Sequence, residues 1–445
     1  MNKLVGATLK IGKLVAVIII EKLTLLLKVI GVRASFYILT IVALYYYYHQ
    51  KSLDVLLPII IGIFISDLIK SLYENFLMVK EDKLKTTHSM SYLLDIYQNN
   101  YKKELVLNES GIEFLYNESF VNQKDFKIII EDAPSKMFDP DPLIKSSYSE
   151  IMKAHKGSYI KNFETVRLDG YTLNETARTL TLSTSRSNFY NHLLTNRAID
   201  YEFEPGLSVR KIFEYGPRLN NFETTKMSNH IGINGIVQLS DGFTILPRRG
   251  TNATYSKNKM TASIASPLIS SHDKNGTVEL TYEGLKNEVK SLLNSRLYID
   301  AETINDSSVE VIFLGFGREV YEGGKPQFYF LVKLNSLSSQ DYLQILKDKK
   351  KEMKHNKSID KDSNLYICDL LSLKLKKNYS GSVECINYYT DKIKFKSVEF
   401  SFLANVWHLK EAGHLEHFKV DQVANENIIN LEMQKKQGEQ LKKSV

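Results

Sequence analysis

HIGINGIVQLSDGFTILPRR, residues 230–249, runs apolar or alternating on both sides of Ser240-Asp241-Gly242. A turn-forming triplet between two such runs predicts a pair of antiparallel strands. Outward from it, ASIASPLI (residues 262–269) reads as a further strand, and TYEGLKNEVKSLLNSRL (residues 281–297) as a helix. VEVIFLGFGREV and PQFYFLVKL follow as two more strands, separated by a turn at Gly323-Gly324. Upstream, FKIIIED (residues 126–132) is strand-like and the prolines of DPDP (residues 139–142) end it. A helical stretch around residues 147–155, strands at 164–173 and 178–182, and a helical segment at 187–200 complete that part.

Composition limits what such a chain does. Its 445 residues are 43% hydrophobic and 24% charged, too apolar for disorder. Two cysteines, Cys368 and Cys385, give no disulfide framework and no Cys-rich metal site, and they place the bulk of the chain in the cytosol. The net charge is +7, but Lys3, Lys10, Lys13, Lys22, Lys28 and Arg33 against Glu21 account for +5 within residues 1–33, leaving +2 for the rest. No long nucleic acid is expected as partner, because polyanion affinity needs a dense field of Lys and Arg.

The basic arm adjoins two nearly charge-free stretches, residues 34–48 and 53–69. They read as a two-helix transmembrane hairpin joined by His49–Ser52. Lys28 and Arg33 before it and Lys70, Lys80 and Lys83 after it put both ends in the cytosol. In residues 1–33, Lys10, Lys13 and Lys28 lie on one polar stripe of an amphipathic helix, suited to the inner leaflet or, in an assembly, to a lumen. Residues 74–119 are read as a helical connector, 120–345 as the central domain and 346–445 as its C-terminal extension. Near the end, His408, Glu411, His414 and His417 have helical spacing, but Gly413 interrupts them and the order fits no zincin pattern, so no metal is assigned.

The order of strands around residues 281–297, with RLDGY and LLTNR upstream, resembles a Nudix domain over residues 120–340. In that family a helix carries G-x5-E-x7-R-E-U-x-E-E-x-G-U, whose glutamates hold Mg²⁺ against a diphosphate. On that pattern Glu279 takes the first glutamate and Asn287-Glu288-Val289 stand at R-E-U. The two main metal glutamates fall on Ser291 and Leu292, the first glycine on Asp273 and the second on Asn294. A hydroxyl and an isobutyl group supply no paired negative charge. The resemblance therefore implies a nucleotide-shaped pocket without hydrolysis by the usual route, so no catalytic residue, metal or cofactor is assigned.

Arg248 and Arg249 end the second strand of the pair, where family members often reach substrate phosphates, and a guanidinium fork suits phosphate. Asn234, Tyr255, Lys259 and Arg318 are the other candidates for the same cavity, Tyr255 by stacking on a base and Asn234 by pairing with a base edge. The plainer alternative makes Pro-Arg-Arg-Gly an exposed turn and Asn234 a strand-edge polar residue. Taken whole, the fold expected is α+β: an N-terminal membrane helical hairpin, then a Nudix-like mixed-sheet α/β/α sandwich with N- and C-terminal extensions. This arrangement resembles bacterial antiphage (CBASS) effectors that fuse two transmembrane helices to a Nudix-like sensor. The resemblance implies a cyclic dinucleotide or oligonucleotide second messenger as ligand, the lipid bilayer as second partner and a homo-oligomer on activation. It also implies a place in the bacterial inner membrane with the C-terminal domain cytoplasmic. The alternatives are a membrane-tethered Nudix hydrolase of a nucleoside diphosphate derivative, using Glu279 and Glu288, and a protein-binding scaffold.

Overall fold

The computed structural model describes residues 127–154, 161–250, 258–269, 279–300, 308–355 and 398–419. It also describes the shorter pieces 93, 96–97, 105–107, 112–115, 272–273, 276–277, 363–375, 381–386 and 392–395. All fall within the unit Lys80–Val445.

In chain order the strands begin with β1 (Leu105–Leu107), β2 (Ile112–Leu115), β3 (Lys127–Met137), β4 (Glu164–Asn174) and β5 (Thr179–Asn188). Next come β6 (Glu202–Glu204), β7 (Leu207–Ser208), β8 (Gly232–Leu239), β9 (Thr244–Arg249), β10 (Ile264–Pro267), β11 (His272–Asp273) and β12 (Gly276–Thr277). The last five are β13 (Val309–Glu319), β14 (Lys325–Leu334), β15 (Ser363–Leu375), β16 (Gly381–Ile386) and β17 (Lys392–Phe395). The helices are α1 (Pro142–Ser146), α2 (Tyr148–Ala154), α3 (Phe189–Leu194), α4 (Val209–Phe213), α5 (Tyr282–Leu297), α6 (Ser339–His355) and α7 (Phe400–Glu411).

Ten strands make one sheet in the order β1-β2-β13-β14-β8-β9-β15-β16-β17, with β10 also on β8. Its centre, β14 beside β8, is a parallel pair, and every residue of β8 is buried. Burial on both faces is what parallel neighbours require. The two faces divide by alternation along β14. Phe328, Phe330 and Val332 join one core with Leu285, Val289, Leu292, Leu293 and Leu297 of α5 and Tyr342, Leu343 and Leu346 of α6. Tyr329 and Leu331 join the other with Phe402, Leu403 and Leu409 of α7. The period of two in the sequence is therefore read out as two separate cores.

Helix α5 has clear ends. Thr281 caps it by accepting from the Gly284 amide at 3.0 Å, and Tyr298 closes it in the left-handed conformation at φ 60°. The Ser240–Gly242 and Gly323–Gly324 turns form where expected, with φ of 86° at Gly242, 61° at Gly323 and 83° at Gly324.

The expected architecture needs correction. The described part of the chain is mixed α/β and mostly sheet. Among the described residues no helix is long and apolar enough to cross a membrane, so the expected membrane hairpin and inner-membrane placement have no described element behind them. The hairpin at residues 34–73, the amphipathic segment 1–33 and its Lys10, Lys13 and Lys28 lie outside the described residues. The domain itself is also more than the expected sandwich. Strands β15, β16 and β17, from the stretch read as a C-terminal extension, continue the main sheet beyond β9. At the other edge β2, from the stretch read as a helical connector, pairs with β13. A separate three-stranded sheet, β3-β5-β4, packs its Val166, Leu168, Leu180 and Leu182 into the α5 core. The apolar edges of the central strands recruit these distant segments, which the sequence shows only as short alternating runs.

The cysteine reading is corrected as well. Cys368 and Cys385 stand opposite each other in the antiparallel register of β15 and β16, with Cα atoms 4.0 Å apart, and form a disulfide.

Candidate ligand site at the end of the central sheet

Strand β9 ends in Pro247-Arg248-Arg249, and the chain turns back so that the Arg249 amide donates to the Lys259 carbonyl at 3.0 Å. That pairing sets Arg248, Arg249 and Lys259, each half-buried, at one sheet end. The Arg248 guanidinium lies 5.5 Å from the centre of the Phe395 ring, and its Nε donates to the Asn258 carbonyl at 3.2 Å. Phe395 in turn meets Tyr366 edge to face at 4.7 Å. Burial raises the Tyr366 hydroxyl pKa against the opposing pull of Arg248. Cations and aromatic rings thus share one rim. Tyr255 lies outside the described residues.

Behind the rim, Arg249 Nε stands 3.9 Å from a Glu399 carboxylate oxygen, and Glu399 is the residue that begins α7. Asn234, buried on β8, donates from Nδ2 to Gln327 Oε1 at 2.9 Å and accepts at its backbone carbonyl from Asn405 Nδ2 at 2.9 Å. Gln327 passes the chain of bonds on to Glu319 at 3.0 Å, which also accepts from Tyr321 at 2.7 Å and from Ser401. Asn234 and Arg249 therefore both reach the first turns of α7. Arg318 does not. It points to the opposite face of the sheet, where it donates to the Asn220 carbonyl at 2.8 Å and lies 4.2 Å from the Phe222 ring centre. Alternation along β13 explains this, since Glu319 already faces α7.

The polar layer under α7 shifts the titration of its members. Burial pushes the Glu319 carboxyl up to about 6, against the pull of Lys325. Burial also works against ionised Glu322, but Lys325 at 3.3 Å and Arg197 at 3.0 Å hold its pKa below the ordinary value. Burial alone pushes His408, stacked 4.5 Å from the Tyr329 ring, down to about 3.

The signs of these shifts predict a pH profile. His408 is neutral in the fold, so its contribution is complete above its unfolded value near 6.5 and is lost at about 1.4 kcal/mol per pH unit as pH falls toward 3. Glu319 acts in the other direction, stabilising below its ordinary value of 4.5 and losing that contribution as pH rises through 6. The two offset each other between 4.5 and 6. Below 4.5 His408 is unopposed by Glu319, and stability falls steeply. Urea titrations from pH 3 to 7 should show that limb in the wild type and a flatter one in His408→Phe, which keeps an aromatic ring on Tyr329.

The helix motif behaves differently from the rim. Glu279 precedes α5 and is exposed, Glu283 pairs with Lys286 at 2.5 Å, and Glu288 is half-buried with its pKa raised by burial. Leu292 is buried in the core, and the Ser291 hydroxyl donates to the Glu288 carbonyl at 2.8 Å. Among the described residues no three His, Cys, Asp or Glu are placed to hold a metal. Glu279 instead lines a cleft of about 490 Å³ beside β3 and β4, with Glu131, Asp132, Asp169 and Glu223. Its two cations, Lys136 and Arg167, both engage Asp169. An acidic wall disfavours an anionic ligand there.

Sequence reasoning missed Glu319, Gln327, Glu399 and Asn405. The signal was present as polar residues on inward-facing strand positions and as Asn405 on an otherwise apolar helix stripe with Phe402 and Leu409. No family model matches the chain, and no curated protein matches it.

Proposed function

We propose that this domain is a sensor for a nucleotide-type anion, a cyclic dinucleotide or cyclic oligonucleotide, held at the Arg248, Arg249 and Lys259 end of β9. The observation that carries the reading is the Arg248 guanidinium over the Phe395 ring, which meets Tyr366, with Arg249 and Lys259 paired through the backbone at the same strand end. Guanidinium groups supply charge-assisted bonds to phosphate, and aromatic faces stack on bases of any sequence. Arg249 also connects the rim to α7 through Glu399, so a phosphate that draws Arg249 away changes the contacts at the start of that helix. Ligand-driven self-association is part of the proposal, and it requires the ligand to favour the assembled form.

Binding of a panel of cyclic dinucleotides and trinucleotides to the full chain tests this. Arg248→Ala and Arg249→Ala should each weaken the tightest binder by about 1.5–3 kcal/mol, roughly ten- to 150-fold. Sedimentation of the same samples should show a larger species with ligand than without. Unchanged affinity in both variants, or turnover of the nucleotide during incubation with Mg²⁺, removes the sensor reading.

A further inference from the structure

Cys368 and Cys385 are the only cysteines in the sequence, and the bond between them crosses from β15 to β16. On the inner side of that bond the sheet is well held. β15 pairs with β9 from Ser363 to Cys368, and Cys368 itself stands opposite Thr244. On the outer side two short strands remain, β16 of six residues and β17 of four, and β17 ends the sheet order among the described residues. The pairing of β16 with β15 is also interrupted, running from Ile367 to Asp369 and resuming only at Lys374 and Leu375. A broken ladder at a sheet edge opens more readily than the sheet centre.

The face that carries the bond also carries the rim. Tyr366 precedes Cys368 by two residues, Val383 precedes Cys385 by two, and Phe395 stands opposite Val383 in the β16–β17 register. Residues two apart on a strand share a face, so Tyr366, the disulfide, Val383 and Phe395 belong to one patch of the α7-side core. Phe395 meets the Tyr366 ring at 4.7 Å, and the Arg248 guanidinium lies 5.5 Å from the centre of the Phe395 ring. Among the described residues β17 pairs with no strand except β16. The place of Phe395 beside Arg248 therefore depends on whether β16 stays on β15.

We propose that the Cys368–Cys385 disulfide is a redox latch that holds β16 and β17, and with them the Phe395 wall of the rim, against the sheet. Control of ligand binding by this latch rests on the rim reading above, whereas the latch itself does not. The reductant is an external dithiol, since the chain has no third thiol. One thiolate of the dithiol attacks a sulfur of the bond, and the other cysteine sulfur leaves as a thiolate and takes up a proton. The second thiol of the reductant then displaces the mixed disulfide. The chain gains two electrons and two protons as two thiols, and the dithiol is oxidised to its own disulfide. Cys368 is 0% and Cys385 2% exposed, so the attack waits for the sheet edge to open.

The air-oxidised full chain and the same chain treated with dithiothreitol are compared by native alkylation with iodoacetamide and by hydrogen–deuterium exchange. No alkyl group before reduction and two after it are expected, with exchange in β16 and β17 faster by about tenfold or more and β8 unchanged. A Cys368→Ala, Cys385→Ala variant should exchange like the reduced wild type with or without dithiol. Cyclic di-AMP and cyclic di-GMP, titrated into both forms of the wild type, should bind the reduced chain about tenfold more weakly, the scale of one lost stacking face. Equal exchange of β16 and β17 in the two forms, or no label on the native chain after dithiol, overturns the latch. A dithiol response that persists in the alanine variant overturns it too, and should that variant fail to fold, the wild-type exchange comparison decides. Equal affinity in the two forms with a loosened β17 overturns the control of binding. If neither nucleotide binds in either form, the rim reading falls, and the exchange result still decides the latch.

Discussion

Arg186→Met is expected to destabilise the protein by about 3–5 kcal/mol, the usual cost of removing one partner from a buried ion pair. The Arg186 side chain is 1% exposed and grips the Asp132 carboxylate, whose side chain is 0% exposed although its backbone borders the cleft, through two bonds of 2.7 Å. Asp132 also accepts from the Thr184 hydroxyl and the Leu280 amide, each at 2.7 Å, so it ties β3 and β5 to the segment that starts α5. Burial works against its charge, but these partners hold its pKa below the ordinary carboxylate value. Without the guanidinium the desolvation remains and its main compensation is gone. In the wild type the contribution is present above the unfolded carboxylate value and is lost as pH falls below it, so the gap between wild type and variant should narrow in acid. Urea unfolding at pH 7 and pH 3 measures both effects, since the loss begins only below the unfolded value of 3.8. Arg186→Met with Asp132→Asn should recover part of the loss, and a double variant no more stable than Arg186→Met alone contradicts the account.

Arg210→Met should cost a similar amount, about 3–5 kcal/mol, for a different reason. Arg210 is 1% exposed and reaches four groups in three separate segments. It binds Asp200 at 2.7 and 3.1 Å, the Tyr97 hydroxyl at 2.9 Å, and the carbonyls of Val320 and Tyr321 at 2.6 and 3.1 Å. Tyr97 continues the path to the Glu214 carbonyl at 2.6 Å. Methionine fills the space but leaves one carboxylate, one phenol and two carbonyls without this donor. The loss should therefore be local first, at the contact of Leu93 and Tyr97 with Leu219 and Val320. Limited proteolysis should cut the variant near residues 93–97 well before the wild type, and equal protection there would show that Arg210 does not hold this segment.

The parts of the fold that were legible in the sequence are those fixed by local chemistry. Ser240-Asp241-Gly242 and Gly323-Gly324 announce their turns through residues that tolerate positive φ. Thr281 announces the start of α5 through its capping oxygen. Other boundaries slipped. Ser187-Asn188 was read into a helix, yet β5 continues through Asn188 because it has β4 to pair with. Asn234 was legible as a polar residue within a strand, suited to a base edge or to a strand edge, but not as a buried side chain bonded within the sheet. Its partners Gln327 and Asn405 come from far along the chain, and only the parallel pairing of β8 with β14 and the docking of α7 bring them in. Arg248 and Arg249 were legible as cations at a strand end, but the Phe395 and Glu399 beside them belong to a stretch read as an extension. Arg318 shows the reverse error, a residue type suited to phosphate on the face turned away from the rim.

The parallel pairing of β8 and β14 also sets a timetable. Phe328 meets Ile233 only after everything from Leu239 to Lys325 has been translated, and β9 waits longer still for β15. β3, β4 and β5, by contrast, are complete by Asn188 and pair among themselves. A growing chain therefore carries a finished three-stranded sheet while β8, destined for burial along its whole length, has no parallel neighbour. Long-range pairing of this kind is slow, and an uncovered apolar strand invites other chains. During synthesis the ribosome-bound protein should lean on holding chaperones between the emergence of β8 and that of β14, and ribosomes stalled in that window should yield aggregates rather than domains.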